Sequence, residues 1–309
     1  MDDLDEAIKY NREVLTVSPL GHQFHPLSLN KLATAVLAGC NQSGRMEDLE
    51  DAITYNREAL ALRPRGHPDR SISLINLAHA IGSRYDQLGR MDDLDKVIKY
   101  NREALALSPL GHQCHSLSLN NLAVNILTRY EQSGQMEDLE EAITYSSKAL
   151  ALCPLCHPGR SMSLNNLANS VLSRYHQLGR MEDLEEMLTY YQEALTLCPL
   201  GHPFRIKLLA NLANAVLHRF VQSGNFRDLD ESIMLCEQAA NYLAANSKNR
   251  LTAAIKWANV ARLHHHSSII WAYSTSLCLL GRCLISYPDV DFLATAEIPK
   301  SPPMLLLQR

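Results

Sequence analysis

Hydrophobic residues recur at helical spacing in two stretches of the segment from residue 46 to residue 90. One stripe consists of Leu49, Ala52, Ile53, Ala59 and Leu60, and the other of Leu74, Leu77, Ala78, Ile81 and Tyr85. Both follow the i, i+3, i+4 spacing that places apolar side chains on one face of a helix. The pattern predicts two amphipathic helices, each of which needs a partner to cover its apolar face.

The same segment recurs along the chain with a period of 45 residues. Copies start at Met1, Met46, Met91, Met136 and Met181, and a sixth copy starts at Phe226 and stays in register to Ala258. We predict a repeat array over residues 1–245, a degenerate C-terminal capping hairpin over 246–285 and a flexible tail over 286–309. Because four later copies also begin with methionine, we expect Met1 to lie inside a longer natural or ancestral array.

The predicted capping hairpin contains the most apolar stretch, residues 268–285. It also carries Arg282 and several hydroxyl groups, which favours a buried helix over a membrane span. Trp257 and Trp271 are expected to enlarge its apolar contact with the array.

Each unit carries a stop signal for both helices. A glycine ends one helix, named here the first helix, and a proline ends the other, named the second helix. The glycines are Gly44, Gly89, Gly134, Gly179 and Gly224, and the prolines are Pro19, Pro64, Pro109, Pro154 and Pro199. Aspartates positioned to cap the second helices are Asp48, Asp93, Asp138, Asp183 and Asp228. Since a lone amphipathic hairpin cannot bury its stripe, the predicted fold class is all-α, an α-solenoid of stacked helix-turn-helix hairpins.

The second helix has a more specific pattern. The run DAITYNREALALRP places Ala52, Ala59 and Pro64 seven and five residues apart, and the first helix carries Asn76-Leu77-Ala78. This pattern resembles the tetratricopeptide repeat (TPR), in a lengthened form similar to the repeats of kinesin light chains. Similar arrays precede caspase-like CHAT protease domains in large proteins. The resemblance is strong over residues 1–245 and weak over 246–285, and it implies a right-handed superhelix whose first helices line a concave groove.

The chain departs from the TPR pattern at one position of the second helix, where an aromatic residue is usual. The residues found there are Asn11, Asn56, Asn101 and Ser146. This difference concerns the local packing and leaves the class of repeat unchanged.

Polar residues beside the apolar stripe of the first helices are the candidate partner-binding residues. The candidates are Asn30, Asn76, His79, Asn120, Asn121, Asn165, Asn166, Asn169, Asn211 and Asn214. An asparagine amide both donates and accepts, so a ladder of them could pair with the backbone of an extended peptide. In the alternative interpretation, these amides solvate the helix or bond the neighbouring hairpin.

A row of arginines at the ends of the first helices has two interpretations. Arg84, Arg129, Arg174 and Arg219 could bind an anionic partner, and the first three are counted among the candidates. Arginine near a helix C-terminus also complements the helix dipole, and this structural role is favoured.

Composition excludes several function classes. Charged residues make up 20% of the 309 residues and the net charge is -4, so nothing indicates a nucleic-acid partner or a membrane partner. The start MDDLDEAIKY lacks the features of a signal peptide, which predicts a cytoplasmic protein with reduced cysteines. No sequence motif for a catalytic site is present, and we expect no enzyme activity, cofactor or metal.

Three histidine and cysteine patterns were weighed as chemical sites. Cys153, Cys156 and His157 have the spacing of a haem attachment motif, yet the repeat accounts for it, since Cys156 replaces a turn glycine. If that turn needs a positive φ, the fourth linker must have a different shape. The linker histidines are too far apart for one metal ion and are assigned to linker structure; they are His22, His67, His112, His157 and His202. His264, His265 and His266 fall at a predicted helix end, where adjacent imidazoles diverge.

The sequence therefore predicts a non-catalytic scaffold that binds a peptide or protein through the concave face of a TPR solenoid. The alternative is a regulatory arm of a CHAT-type cysteine protease whose catalytic domain lies outside this chain.

Overall fold

The computed structural model describes residues 2–43, 45–112 and 114–286, without the side chains of residues 2–4, 41–43, 285 and 286. This part of the chain contains thirteen α-helices and no strand. The helices are α1 (Asp2–Val17), α2 (His25–Ser43), α3 (Met46–Ala61), α4 (Arg70–Leu88), α5 (Met91–Ala106), α6 (His115–Ser133), α7 (Met136–Ala151), α8 (Arg160–Leu178), α9 (Met181–Thr196), α10 (Arg205–Ser223), α11 (Phe226–Ala240), α12 (Ser247–Leu263) and α13 (Ile269–Ser286). The even-numbered helices are the first helices of the repeat, so the prediction of an all-α repeat fold is confirmed.

The predicted glycine stops are found at the ends of the first helices. Gly89, Gly134, Gly179 and Gly224 have φ between 64° and 70°, and the N–H of Gly89 donates to the carbonyl of Tyr85 at 2.7 Å. A residue in the left-handed region closes a helix, and glycine adopts it without a Cβ clash. Gly44 lies outside the described residues.

The turn after each proline explains the linker histidines. The N–H of His67 donates to the carbonyl of Pro64 at 3.0 Å, and the His67 Nδ1 accepts the N–H of Asp69 at 3.1 Å. The same imidazole bond recurs at all five linkers, with lengths of 3.0 to 3.3 Å. These histidines satisfy a free N–H at the start of a first helix, which agrees with the linker interpretation.

The fourth linker has a different turn. The equivalent glycines, Gly21, Gly66, Gly111 and Gly201, have φ between 88° and 95°, whereas Cys156 lies outside the left-handed region. The closing bond from His157 to Pro154 is kept at 2.8 Å. Cysteine therefore changes the turn shape and avoids the strain that a positive φ would impose.

The core is shared between successive hairpins. One buried cluster combines Leu37 of α2, Ile53 of α3, Ile81 of α4 and Val97 of α5. The most extensive packing joins a first helix to the second helix that follows it, and second helices such as α3, α5, α7 and α11 also pack on the next first helix. This continuity is what the solenoid prediction requires.

Contacts divide the chain into two compact units, the N-terminal unit (residues 1–183) and the C-terminal unit (184–309). In the C-terminal unit, α12 and α13 form the last described hairpin. Trp257 is buried there, as expected, but Trp271 is 73% exposed. The prediction that Trp271 enlarges the apolar contact, and that α13 is a buried helix, is therefore wrong, because only one side of α13 is covered. The predicted tail beyond Ser286 lies outside the described residues.

Within the described residues, no helix combines the length and apolarity that crossing a bilayer requires.

Candidate functional site

A groove of about 350 Å³ runs between two first helices of the N-terminal unit, α6 and α8. Its lining residues are Val124, Leu127, Thr128, Glu131, Asn166, Asn169, Leu172, Ser173 and His176. The leucines provide an apolar floor, and hydroxyl and amide groups stand along the walls. Two of the predicted candidates, Asn166 and Asn169, are brought together here.

Four of the predicted asparagines lie inside the protein. They are Asn30, Asn120, Asn165 and Asn166, which are at most 7% exposed. The expectation that these four stand on an accessible flank is wrong, because the neighbouring hairpin covers them. Asn76, His79, Asn121, Asn169, Asn211 and Asn214 are partly or fully exposed, and their role in partner binding stays a prediction.

The buried asparagines bond the neighbouring hairpin, as the alternative interpretation had it. Asn120 Nδ2 donates to the Ser163 Oγ at 3.0 Å, and Asn166 Nδ2 donates to the Asn120 Oδ1 at 3.0 Å. In the preceding repeats, Asn30 Nδ2 donates to the Asn56 Oδ1 at 2.8 Å. These bonds join helices that are distant in sequence and so hold the stack together.

A buried guanidinium completes this layer in one repeat. Arg63, 3% exposed, donates from Nη1 to the Asn30 Oδ1 at 2.9 Å and to the Ser73 Oγ at 2.7 Å. Burial lowers the pKa of Arg63, and Asp69 partly offsets that effect. A polar layer of this kind is stable only because its members bond one another.

The position where TPR sequences carry an aromatic residue is buried in successive repeats. Asn56, Asn101 and Ser146 are at most 2% exposed there, and Tyr191 restores the aromatic residue at the start of the C-terminal unit. Asn101 Nδ2 bonds the carbonyl of its own helix at Val97. The departure from the TPR pattern is thus a buried polar position.

The arginine row is paired within the protein. Arg84 bonds Asp93 through two parallel hydrogen bonds of 2.8 and 2.7 Å, and Arg129 does the same with Asp138 at 2.9 and 2.7 Å. Arg174 donates from Nε and Nη2 to the Oδ1 of Asp183, and Arg219 makes a single bond from Nη2 to the Oδ1 of Asp228. These pairs agree with the structural role, and partner binding by Arg84, Arg129 and Arg174 stays a prediction.

The same pairs correct the predicted caps of the second helices. The residues before α5 and α7 are Arg90 and Gln135, and neither makes a side-chain capping bond. Asp93 lies inside α5 and is 2% exposed. Its hydrogen bond with Arg84 lowers the pKa of the Asp93 carboxyl, and the same bond raises the pKa of Arg84.

The titratable side chains that line the groove have shifted pKa values. Glu131 and His176 are both exposed, and partial desolvation beside the groove raises the pKa of Glu131 and lowers the pKa of His176. At the equivalent position of α4, burial raises the pKa of Asp86, while His79 on the same helix opposes that shift. Each of these shifts disfavours the charged form, as desolvation does.

The corresponding face of the C-terminal unit has different chemistry. On α10, Asn211 and Asn214 occupy the asparagine positions, and Val221 replaces the groove acid. On α12, Lys256 stands in the asparagine register and donates from Nζ to the carbonyl of Ala210 at 3.2 Å. Burial lowers the pKa of Lys256.

The other histidines and cysteines considered in the sequence make separate contacts. His264 packs edge-on against Phe220 with 5.0 Å between ring centroids, and His266 bonds Ser268 at 2.8 Å. Cys153 is buried and Cys156 exposed, and all eight cysteines are free thiols.

Sequence reasoning missed part of the groove. Glu131 and His176 follow Val124 and Asn169 by seven residues, which places them two turns along the same helix face. Extending the helical spacing beyond the asparagines would have found them.

Comparisons with known proteins identify structures with a similar fold. No protein-family model and no curated protein matches the sequence. Among solved structures, BtubC from P. vanneervenii is similar, with a TM-score of 0.54 and 19% identity over 77% of this chain and 93% of that one. A thermophilic TPR protein of Thermus thermophilus matches with a TM-score of 0.52 and 16% identity, over 76% of this chain and 98% of its own.

A third similar structure contains the nearly identical TPR-like repeats of a kinesin light chain assigned in Podosopora anserina. Its TM-score is 0.50 at 18% identity, over 72% of this chain and 99% of the other. These likenesses show that the chain has a TPR-like fold, as its sequence pattern predicts.

Proposed function

We propose that this protein is a non-catalytic scaffold that binds an extended peptide segment of a protein partner on its first helices. The observation that carries the proposal is the groove between α6 and α8. Its volume of about 350 Å³ matches a few side chains and is too small for a folded domain.

The groove walls suit a peptide backbone. Asn121 is half-buried on α6, and Asn169 and Ser173 line the groove from α8. Amides and hydroxyls donate and accept, so they satisfy a backbone whatever its side chains. The floor formed by Leu127 and Leu172 supplies apolar contact for one or two side chains of the ligand.

A blocking substitution tests the proposal. Val124 is 43% exposed in the groove, and Val124→Arg would fill it with a long charged side chain. The matched control is Leu155→Arg, since Leu155 is 70% exposed on a linker turn outside the groove. Peptides selected from a random library on the wild-type chain should lose affinity for Val124→Arg and keep it for Leu155→Arg. Equal affinity for both variants would place the binding site elsewhere.

Two further predictions concern the location of the protein and its link to a protease domain. A cytoplasmic location is supported by the eight free thiols, most of them buried. The regulatory arm of a CHAT-type protease stays the alternative, and transcripts that encode a caspase-like domain beyond Arg309 would support it.

A further inference from the structure

We propose that the groove between α6 and α8 selects peptides that carry a lysine or arginine, whose cationic group pairs with the Glu131 carboxylate. This inference rests on the proposed function, because it assigns a charge preference to the same groove.

Glu131 is the first part of the argument. Among the described residues, no cation or hydrogen-bond donor pairs with its carboxylate, and burial is the sole cause of its raised pKa. The described residues that line the groove include no lysine or arginine. The Glu131 side chain is exposed at the groove and has no described cation beside it, so its carboxylate is accessible to a cationic group of a ligand.

The nearest arginine is turned away. Arg129 precedes Glu131 by two residues, so helix geometry directs the two side chains to opposite sides of α6. Arg129 is held by Asp138 at 2.7 Å, and Arg174 on α8 is held by Asp183 in the same way. The arginines of this unit therefore stabilise the stack and leave the groove negative.

The other titratable groups beside the groove are consistent with its negative charge. The pKa of His176 is lowered by burial, so its imidazole is neutral at pH 7 and does not cancel the charge of Glu131. Asp86 occupies the equivalent position on α4, where desolvation raises the pKa of its carboxyl more than His79 lowers it. At neutral pH the charged groups at this register are thus carboxylates, which favours a basic ligand over an acidic one.

The apolar floor decides how such a ligand would lie. A lysine or arginine side chain places its aliphatic stem along leucine side chains and its charged end in a polar setting. Leu127 and Leu172 line the groove that contains Glu131, so stem and charge are accommodated together. An acidic side chain would meet the Glu131 carboxylate and be repelled.

Three fluorescent peptide pools test the inference. Each pool holds peptides of about ten residues, random among uncharged residues except for a central position that is Lys or Arg, Gln, or Glu. Fluorescence anisotropy should show the basic pool binding the wild-type chain about five- to tenfold more tightly than the acidic pool. Glu131→Gln should abolish that preference and keep the affinity for the Gln pool, and Glu131→Lys should reverse the preference. Glu140→Gln, which removes an exposed carboxylate of α7, is the control and should change nothing.

The outcomes separate the two proposals. If the Gln pool binds and Val124→Arg prevents it, but the wild type shows no charge preference, the groove function stands and the role of Glu131 is refuted. A preference for the basic pool that survives in Glu131→Gln refutes it as well. If no pool binds the wild-type chain, the proposed function falls and this inference falls with it.

Discussion

The N-terminal and C-terminal units bury the same positions of the repeat with opposite chemistry. Where the N-terminal unit has Ser73, Ser118 and Ser163, the C-terminal unit has Leu208, all of them fully buried. Where the N-terminal unit has asparagine or serine, the C-terminal unit has Tyr191 and Cys236, both also buried. Burial alone raises the pKa of the Cys236 thiol to about 11, against the opposing effect of Lys256.

The difference shows what a repeat fold demands of its core. Each hairpin touches only its neighbours, so one pair of hairpins tolerates a polar layer at positions where another pair buries apolar side chains. The polar layer depends on specific partners, because a buried amide without a hydrogen bond costs about 1–3 kcal/mol. The apolar layer depends on volume and shape alone. Substitutions should therefore be felt more sharply in the N-terminal unit.

The largest expected effect comes from the buried ion pair of the N-terminal unit. Arg84→Met leaves the buried Asp93 carboxylate with only the half-exposed Lys96, at 3.5 Å, as a cationic partner, which should lower the free energy of unfolding by about 3 kcal/mol. Arg219 in the C-terminal unit has a side chain that is 25% exposed, against 10% for Arg84, so Arg219→Met should cost less. Arg129 and Arg174 in the N-terminal unit, which are 24% and 27% exposed, should behave like Arg219. Urea denaturation followed by circular dichroism measures these losses.

The rescue variant for this pair is Arg84→Met with Asp93→Leu, which removes both charges and should recover most of the loss. A loss for Arg219→Met that equals or exceeds that for Arg84→Met would contradict this dependence on burial.

A smaller effect is expected from the asparagine layer. Asn120→Ala leaves Ser163 and Asn166 each without one bond, which should cost about 1–3 kcal/mol. Adding Ser163→Ala should cost less than the sum of the single changes, because both partners of one bond are then gone. The control is Ser118→Ala, whose buried hydroxyl makes no hydrogen bond to any described residue and whose loss should leave stability unchanged or slightly higher. Strict additivity in thermal unfolding would show that these groups do not form a network.

The smallest effect should come from the groove acid. Folding raises the pKa of Glu131, so the folded state disfavours its ionised form, and Glu131→Gln should stabilise the chain at pH 7 by no more than about 0.5 kcal/mol. This gain should vanish as the pH falls through about 4, where the carboxyl is protonated in both states.

Asp93 should behave in the opposite way. Its pKa is lowered in the folded state, so the stabilisation it supplies is present above about pH 4 and is lost as the pH falls further. Denaturation of the wild-type chain and of Glu131→Gln between pH 3 and pH 7 checks the two signs, and a gain from Glu131→Gln that persists at low pH would rule out desolvation as its cause.

The fold could be predicted from the sequence because its signals are local. The 45-residue period, the helical stripes, and stops such as Gly89 and Pro64 act within a few residues of themselves, and the helices begin and end where those signals stand. The linker histidines were also assigned correctly to linker structure, although the bond from His67 to the N–H of Asp69 became visible only in three dimensions.

The site was predicted less well, and the reason is geometric. Each residue turns a helix by about 100°, so Asn120 and Asn121, side by side beside the stripe, face different surroundings. The first is buried against Ser163 and the second is half-exposed. Likewise, the pairing of Arg84 with Asp93 joins α4 to α5 across a turn, and nothing in the spacing alone distinguishes it from a row of free arginines.

The sequence by itself determined the class of repeat and the stops of its helices, since these depend on backbone preferences and periodicity. Only the tertiary structure decided which polar groups are enclosed by the next hairpin, which charges are neutralised, and which, like Glu131, remain facing a groove. Burial is a property of the packed neighbours, and for residues on the flank of a stripe the neighbours are set by the stacking of one hairpin on another.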